Sequence, residues 1–245
     1  VSRKFKHCKT LLSYPAVPWY VGISFFNNRK VNLSLNYNFF SKNNNKFKSN
    51  KISVISSNTS ISKGHIKRIN FVKELKLYFG DLIHIYGNGF NSFDDKWDVI
   101  SSYKYHIVLE NSKQDHYWTE KLSDTFLSNT YPIYYGAENI NEYFDEKSMS
   151  TIDIDNINYS INKIESILRD NLFSKHFDKI LESKNRVLNK YNLVNLITSI
   201  CEKYGHTNYN KSKIRIKDEL SFINIDKLFT KIRRAYYNFK YKINF

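Results

Sequence analysis

An α/β fold, a parallel sheet followed by C-terminal helices, is what this sequence predicts, on three observations. From residue 51 onward, short apolar runs of strand character alternate with segments that repeat apolar residues every three or four positions. Alternation at this spacing means βαβ crossovers, which place neighbouring strands parallel. Glycine falls where elements should stop, at Gly80, Gly87-Asn88-Gly89 and Gly136. After residue 155 the strand-like runs cease and only helical periodicity remains.

The elements follow in order. Residues 1–50 read as irregular: Tyr14-Pro15-Ala16-Val17-Pro18-Trp19 is extended, since residues before proline avoid the helical region, and the polar run Ser41–Lys46 reads as a loop or linker. Lys51–Ser57 alternates apolar and polar residues as a strand does. Ser62 can cap a helix carrying Ile66, Ile69, Val72, Leu75 and Phe79 on one face and ending at Gly80. Leu82–Tyr86 is a second strand, and a short helix near Asp95–Ser101 leads to a third, Tyr103–Leu109. A polar loop, a helix over Thr119–Ser128 and a fourth strand, Tyr131–Tyr135, complete the alternation. Helices then cover Ile157–Arg169, Ser174–Lys190 and Leu193–Lys203, with a last one over Asp226–Tyr241. In open sheets of this kind ligands sit at the carboxyl ends of the strands. That directs attention to Ser56–Ser62, Gly87–Phe90, Glu110–Tyr117 and Gly136–Asn139.

Composition narrows the class. With 245 residues, 41% hydrophobic and 25% charged, the chain can bury a core and is not a disordered tail. A formal net charge of +15 raises the question of a nucleic-acid partner. Lys, Asn, Ile, Tyr and Phe are abundant throughout, however, so the charge reads as a uniform compositional skew rather than one basic patch. Two distant cysteines, Cys8 and Cys201, offer neither a disulfide framework nor metal spacing. Sequons occur at Asn32, Asn58, Asn158 and Asn210, as an Asn-rich chain produces by chance. No apolar run approaches the ~20 residues of a membrane span. No signal peptide is visible, though a chain starting at Val1 gives that little weight. The basic, aromatic end of the last helix (Lys231–Tyr237) reads as a solvated helix end, with a peripheral membrane contact as the second reading.

The densest polar cluster is Glu110–Lys121, between the third strand and the next helix. A helix start there offers unpaired N–H groups and the positive end of a dipole to an anion. Lys121 in the first turn opposes that dipole, and makes sense if an anion sits beside it. Glu120 can accept hydrogen bonds from vicinal hydroxyls, as acidic residues do from ribose. A surface Glu-Lys pair opening an ordinary helix explains both equally well. Arg68, near the strand edge, could fork onto a phosphate, though an arginine so placed is more often an ordinary surface residue, and its neighbour Lys67 reads as a solvated charge. No Walker motif, dinucleotide glycine loop or His-x-x-x-His pair is present. His116 beside Asp115 could be a base but reads first as a solvated loop histidine; Asp153 and Asp155 could bind a divalent cation, and Asp155 or Asn156 equally could cap a helix.

Taken together, Tyr105–Ser112 (YHIVLENS), Tyr117–Leu122 (YWTEKL) and Tyr131–Gly136 (YPIYYG) resemble the signature of glycosyltransferase family 10. The likeness continues through Tyr143-Phe144 and Ser148-Met149 to Ile152-Asp153. Upstream it takes in Arg68–Leu75 and Gly87–Trp97, and it spans about residues 14–155. The resemblance implies a GT-B architecture, with a Rossmann-like sheet domain binding the donor GDP-fucose. It implies transfer of L-fucose with inversion, in α1,3 linkage, to a GlcNAc or Glc hydroxyl of a glycan. It implies that Arg68 and Lys121 neutralise the diphosphate, that Glu120 holds the ribose hydroxyls, and that Asn111 and Tyr117 complete the donor contacts. No metal and no cofactor beyond the donor substrate is expected.

The family's general base lies in its N-terminal domain, yet no Asp or Glu precedes Glu74 here. The chain is therefore expected to be cut off before its base, with residues 1–50 a remnant of an acceptor domain and linker. Residues 51–155 are then the GDP-fucose-binding domain and 156–245 a helical extension. The expected partners are GDP-fucose and a glycan acceptor, not nucleic acid. The expected compartment is cytoplasmic or membrane-peripheral, or the Golgi lumen in a eukaryote. Two rival readings are a GT-B enzyme using another nucleotide sugar and a basic protein binding nucleic acid or membrane surfaces.

Overall fold

In a computed structural model of the chain, residues 13–16, 18–26, 30–33, 35–57 and 63–204 are described. Strands β1 (Ile23–Phe26) and β2 (Lys30–Leu33) pair antiparallel, and α1 (Tyr37–Lys42) follows. This corrects the expectation of an irregular segment up to residue 50. The strands are only four residues long, too short to show a period, and α1 starts because the Asn36 side chain accepts from the Phe39 N–H. Only Phe40 of α1 is buried, so the helix carries almost no amphipathic signal.

The alternating region then runs β3 (Ser49–Ile55), α2 (Lys63–Phe79), β4 (Ile83–Tyr86), α3 (Lys96–Ile100), β5 (Tyr103–Leu109), α4 (Glu120–Leu127), β6 (Tyr131–Tyr135) and β7 (Ser150–Thr151). All pairings among these strands are parallel, in the order β4-β3-β5-β6-β7. The chain therefore leaves β3 to one side for β4, then crosses back to place β5 on the other side. The gap between the carboxyl ends of β3 and β5 is the sheet's switch point, where such folds form a crevice.

Burial explains why these segments fold as they do. In α2 the residues Ile66, Ile69, Val72 and Leu75, all 9% exposed or less, form the face predicted from their spacing. Each such side chain contributes about 1.5–3 kcal/mol by leaving water. Strands β5 and β6 are buried on both faces, with the adjacent pairs Ile107-Val108 and Ile133-Tyr134 at most 1% exposed, so most of their length reads as apolar. Helix α4 is buried along almost its whole length, from Leu122 to Leu127.

Four more helices follow, α5 (Ile157–Arg169), α6 (Leu172–Lys175), α7 (Phe177–Asn189) and α8 (Leu193–Tyr204). Asn156 caps α5 by accepting from the Tyr159 N–H. The single helix expected over Ser174–Lys190 is corrected to two, because the backbone of His176 leaves the helical region between α6 and α7. Ile164, Ile167, Phe173, Phe177 and Ile180 join the same buried cluster as the sheet. Cys201 on α8 is an exposed free thiol. No helix among the described residues is long and apolar enough to cross a membrane. Cys8, Asn58, Ser62, Asn210 and the helix expected over Asp226–Tyr241 lie outside the described residues.

Candidate functional site

The switch point holds a cavity of about 600 Å³, lined at the strand ends by Ile55, Ser56, Leu109 and Asn111. Its rear wall is the loop after β4, where Gly87 adopts φ +123°. A Cβ on Gly87 would lie 2.1 Å from the Ser56 carbonyl oxygen, so only glycine lets the two loops close up there. Charged walls come from α2, α3 and α4, which bring Arg68, Lys96 and Lys121 to this one cavity with Asp124 as the only carboxylate in the lining.

Glu110, the first residue past β5, organises the entrance. It is fully buried. Its carboxylate accepts from the Thr119 N–H (2.7 Å) and from Thr119 Oγ1 (2.8 and 3.0 Å), and faces Lys121 Nζ at 3.4 Å. Its own carbonyl accepts from Arg68 Nη1 at 3.2 Å. One residue thus ties both cations to the start of α4. Burial pushes the Glu110 pKa up, against the pull of Lys121 and the Thr119 hydrogen bonds. The tight fit requires Gly136 behind it, where a Cβ would come within 2.7 Å of Glu110 Cγ and 2.1 Å of the Tyr134 hydroxyl oxygen. Thr119 is the N-cap of α4 and accepts from the Lys121 N–H.

Lys121 also lies 3.5 Å from Glu120, so the anion beside its first-turn ammonium is, in this structure, a pair of carboxylates. Burial lowers the pKa of Arg68, with Tyr135, Glu110 and Tyr117 opposing; a guanidinium starts so high that it stays charged. On the floor, His106 of β5 bonds through Nδ1 to Ser53 Oγ of the paired strand at 2.8 Å. Burial drives its pKa down to about 3, so it is neutral near pH 7.

The residues singled out from sequence are placed as follows. Arg68, Asn111 and Lys121 share the cavity. Glu120 lines an adjoining one with Tyr20, Phe93 and Lys96. Tyr117 lines neither; it is half-buried beside them and acts on Arg68 through space. Lys67 pairs with Asp155 at 2.6 Å, both more than half exposed. His116 corrects the expectation of a solvated loop residue: its N–H donates to Asn139 Oδ1 and its Nδ1 lies 2.6 Å from the Tyr143 hydroxyl. Gly136–Glu138 faces a separate hollow with Lys113 and Asp153. No group of three His, Cys, Asp or Glu able to hold a metal occurs among the described residues.

Sequence reasoning gave no role to Glu110, Lys96, Asp124 or His106. Asp124 is fully buried inside α4, where its Oδ1 accepts from the N–H groups of Tyr20 (2.7 Å) and Val21 (3.2 Å) and its Oδ2 from Lys96 Nζ (2.9 Å). Its local sequence, between Ser123 and Thr125, gave no signal of burial.

A parallel α/β sheet with three cations gathered at its switch point, beside a helix start, is an arrangement whose charge suits an anion. The family model for glycosyltransferase family 10 (fucosyltransferase), C-terminal part, matches residues 45–221, and the chain belongs to that family. The match thus runs on through α5–α8, beyond the 14–155 span read from motifs. Alpha-(1,3)-fucosyltransferase FucT of Helicobacter pylori is 33% identical over 72 residues, which are 29% of this chain and 15% of that protein. A crystal structure of an α1,3-fucosyltransferase with GDP aligns at 22% identity and TM-score 0.44, covering 62% of this chain and 51% of that one. A structure with GDP-fucose gives the same values. The chain spans about half the length of these solved structures and less of the curated relative.

Proposed function

We propose that the chain forms the donor side of a fucosyltransferase, binding GDP-fucose at the switch-point cavity for transfer of L-fucose, with inversion and in α1,3 linkage, to a GlcNAc or Glc hydroxyl of a glycan. The observation that carries this reading is the convergence of Arg68 and Lys121 on one cavity beside the start of α4, in a chain of this family. As the sugar–phosphate bond breaks, GDP gains negative charge. Cations held at the edge of the cavity stabilise that charge. The Arg68 guanidinium would fork onto the diphosphate, and the Lys121 ammonium would turn to it from Glu110 and Glu120. Asn111 and Tyr117 would complete the donor contacts, and Glu120 would accept from sugar hydroxyls, those of ribose included. Residues 51–155 supply this donor unit, and the apolar faces of α5–α7 complete its core. The carboxylate that deprotonates the acceptor hydroxyl is not assigned to a residue of this chain.

Thermal shift with GDP-fucose, GDP-mannose and UDP-sugars tests the reading. A ligand at 100 times its Kd adds about 2.7 kcal/mol of stability, so GDP-fucose should raise Tm clearly and UDP-sugars should not. Lys121→Ala and Glu120→Ala should remove the shift. Stabilisation by a UDP-sugar alone would reassign the donor. Binding to any polyanion, steeply salt-dependent and indifferent to Lys121→Ala, would replace the enzyme reading with a polyanion-binding one.

A further inference from the structure

The amino end of the sheet carries a hollow of about 450 Å³, lined by Lys46, Phe47, Lys48, Lys104, Phe173 and Ser174. It lies at the opposite end from the switch-point cavity. Lys48 directly precedes β3 and Lys104 stands second in β5, whose seven residues put about 20 Å between the two ends. No carboxylate lines the hollow. The Lys48 ammonium is taken up by the carbonyls of Ser101 and Ser128 and by Thr130. Lys46 and Lys104 are held more weakly. Lys46 Nζ lies 4.5 Å from the centre of the Phe177 ring, and Lys104 Nζ reaches Asn50 Oδ1 at 3.3 Å and stands 5.9 Å from the centre of the Phe173 ring. Among the described residues neither has a carboxylate partner, whereas Lys67, Lys96, Lys113 and Lys121 all do.

Beside these two ammonium groups Phe47 stands 94% exposed, an apolar ring left in water. Leu77, 85% exposed in the last turn of α2, and Leu82, 44% exposed just before β4, lie at the same end of the sheet, because α2 runs back along the strands and β4 starts beside β3. Asp81 there pairs with Lys76 at 3.8 Å, so those two charges offset. Basic side chains around protruding apolar ones suit a surface that is anionic at its face and apolar behind it. A free phosphate would satisfy the lysines and leave Phe47 in water. A nucleic-acid strand needs exposed rings on which successive bases stack, and Phe173 is buried. We propose that the amino end of the sheet docks on an anionic phospholipid surface, with headgroup phosphates at Lys46 and Lys104 and Phe47 entering the acyl boundary. This orientation leaves the switch-point cavity open to water, and it is independent of which sugar nucleotide that cavity takes. It is also separate from the basic stretch Lys231–Tyr237, which lies outside the described residues.

Vesicle sedimentation of the full chain tests it, with phosphatidylcholine alone and with phosphatidylcholine mixed with phosphatidylglycerol. The mixed vesicles should bind the wild-type chain and the neutral ones should not. Lys46→Ala and Lys104→Ala should each weaken binding about 5-fold, and Phe47→Ala roughly 5- to 10-fold. Tm should stay where it is, since Lys46 and Phe47 are exposed and Lys104 is partly so. Phe47→Trp should bind like the wild type, and its added fluorescence should shift to the blue on mixed vesicles and be quenched by brominated acyl chains. A purely electrostatic contact would leave that signal unmoved. Neutralising Lys231, Arg233 and Arg234 together should leave it in place. Wild-type binding in Phe47→Ala would overturn the proposal, as would a chain that ignores the mixed vesicles or loses all binding when only those three tail residues are changed. Release by inorganic phosphate, but not by chloride at equal ionic strength, would reassign the lysines to a free-phosphate site. Displacement by a single-stranded oligonucleotide that itself depends on Phe47 would replace the membrane with nucleic acid.

Discussion

The two ends of the parallel sheet both gather lysines, and they treat them differently. At the carboxyl end, Lys121 faces Glu110 and Glu120 at 3.4 and 3.5 Å, and Lys96 faces Asp124 at 2.9 Å, beside open cavities. At the amino end, Lys48 donates to the carbonyls of Ser101 (2.5 Å) and Ser128 (2.7 Å) and to Thr130 Oγ1 (3.0 Å). Lys184 donates to Asn129 Oδ1 (2.8 Å), Asn44 Oδ1 (3.2 Å) and the Asn43 carbonyl. Ser101 and Ser128 are the C-caps of α3 and α4, so Lys48 fastens the negative ends of the very helices whose starts build the site. Among the described residues, no carboxylate pairs with either lysine. Burial, with Lys184 nearby, drives the Lys48 pKa down to about 7. Burial likewise takes Lys184 to about 8. A cation saturated by neutral oxygens holds structure together; one that leans on carboxylates beside a cavity can exchange them for a phosphate.

The largest expected effect comes from the residue that serves both purposes. Glu110→Ala would leave the Thr119 donors without their acceptor and strip Lys121 of the buried one of its two carboxylates, a loss of about 3–5 kcal/mol in a urea melt. It should also weaken GDP binding. A loss under about 1 kcal/mol would show that Glu110 does not organise the site.

Smaller effects should separate the two ends. Arg68→Ala and Lys121→Ala each remove a charge-assisted contact worth about 1.5–3 kcal/mol, so GDP affinity should fall roughly 10- to 100-fold; Tm should hardly move in Arg68→Ala and should drop in Lys121→Ala, which leaves the buried Glu110 without its cation. Lys48→Met should do the reverse of Arg68→Ala: its carbonyl partners lose their donor, costing about 1–3 kcal/mol of stability, and GDP binds as before. Loss of GDP affinity in Lys48→Met would erase the distinction.

The smallest effect is pH-dependent. An unfolded lysine titrates near ~10.4, above both folded values, so between about pH 7 and pH 10 the unfolded chain holds more protons and stability rises with pH. The three acceptors around Lys48 offset part of its desolvation, leaving a gain on the order of 2 kcal/mol. The gain should reverse above about pH 10, because burial pushes Tyr131 up to about 12, and Tyr103 and Tyr134 still higher, so unfolded tyrosines ionise first. Denaturant midpoints across this range check the slope. In Lys48→Met most of the rise should vanish.

The sequence made local order legible and long-range order only in part. Strands β5 and β6 appear at the residues expected, because their aromatic and β-branched runs are bounded by polar residues or glycine. The buried face of α2 was equally plain. Hairpin β1–β2, helix α1 and the two-residue β7 were missed, since elements that short show no period. At the site, residue type and position left Arg68 and Lys121 open between anion ligands and ordinary surface charges, and the family resemblance singled them out. Asp124 could not, because its partners Tyr20 and Val21 lie more than 100 positions away. Glu110 stood within the polar cluster, yet only its complete burial and its bonds to Thr119 show what it does.

Titration calorimetry of GDP against the wild-type chain, Arg68→Ala, Lys121→Ala and the double variant is the most direct test that these two side chains grip one diphosphate. The account predicts at least a tenfold loss for each single variant, with the wild-type fold retained. Wild-type affinity in either single variant would contradict it.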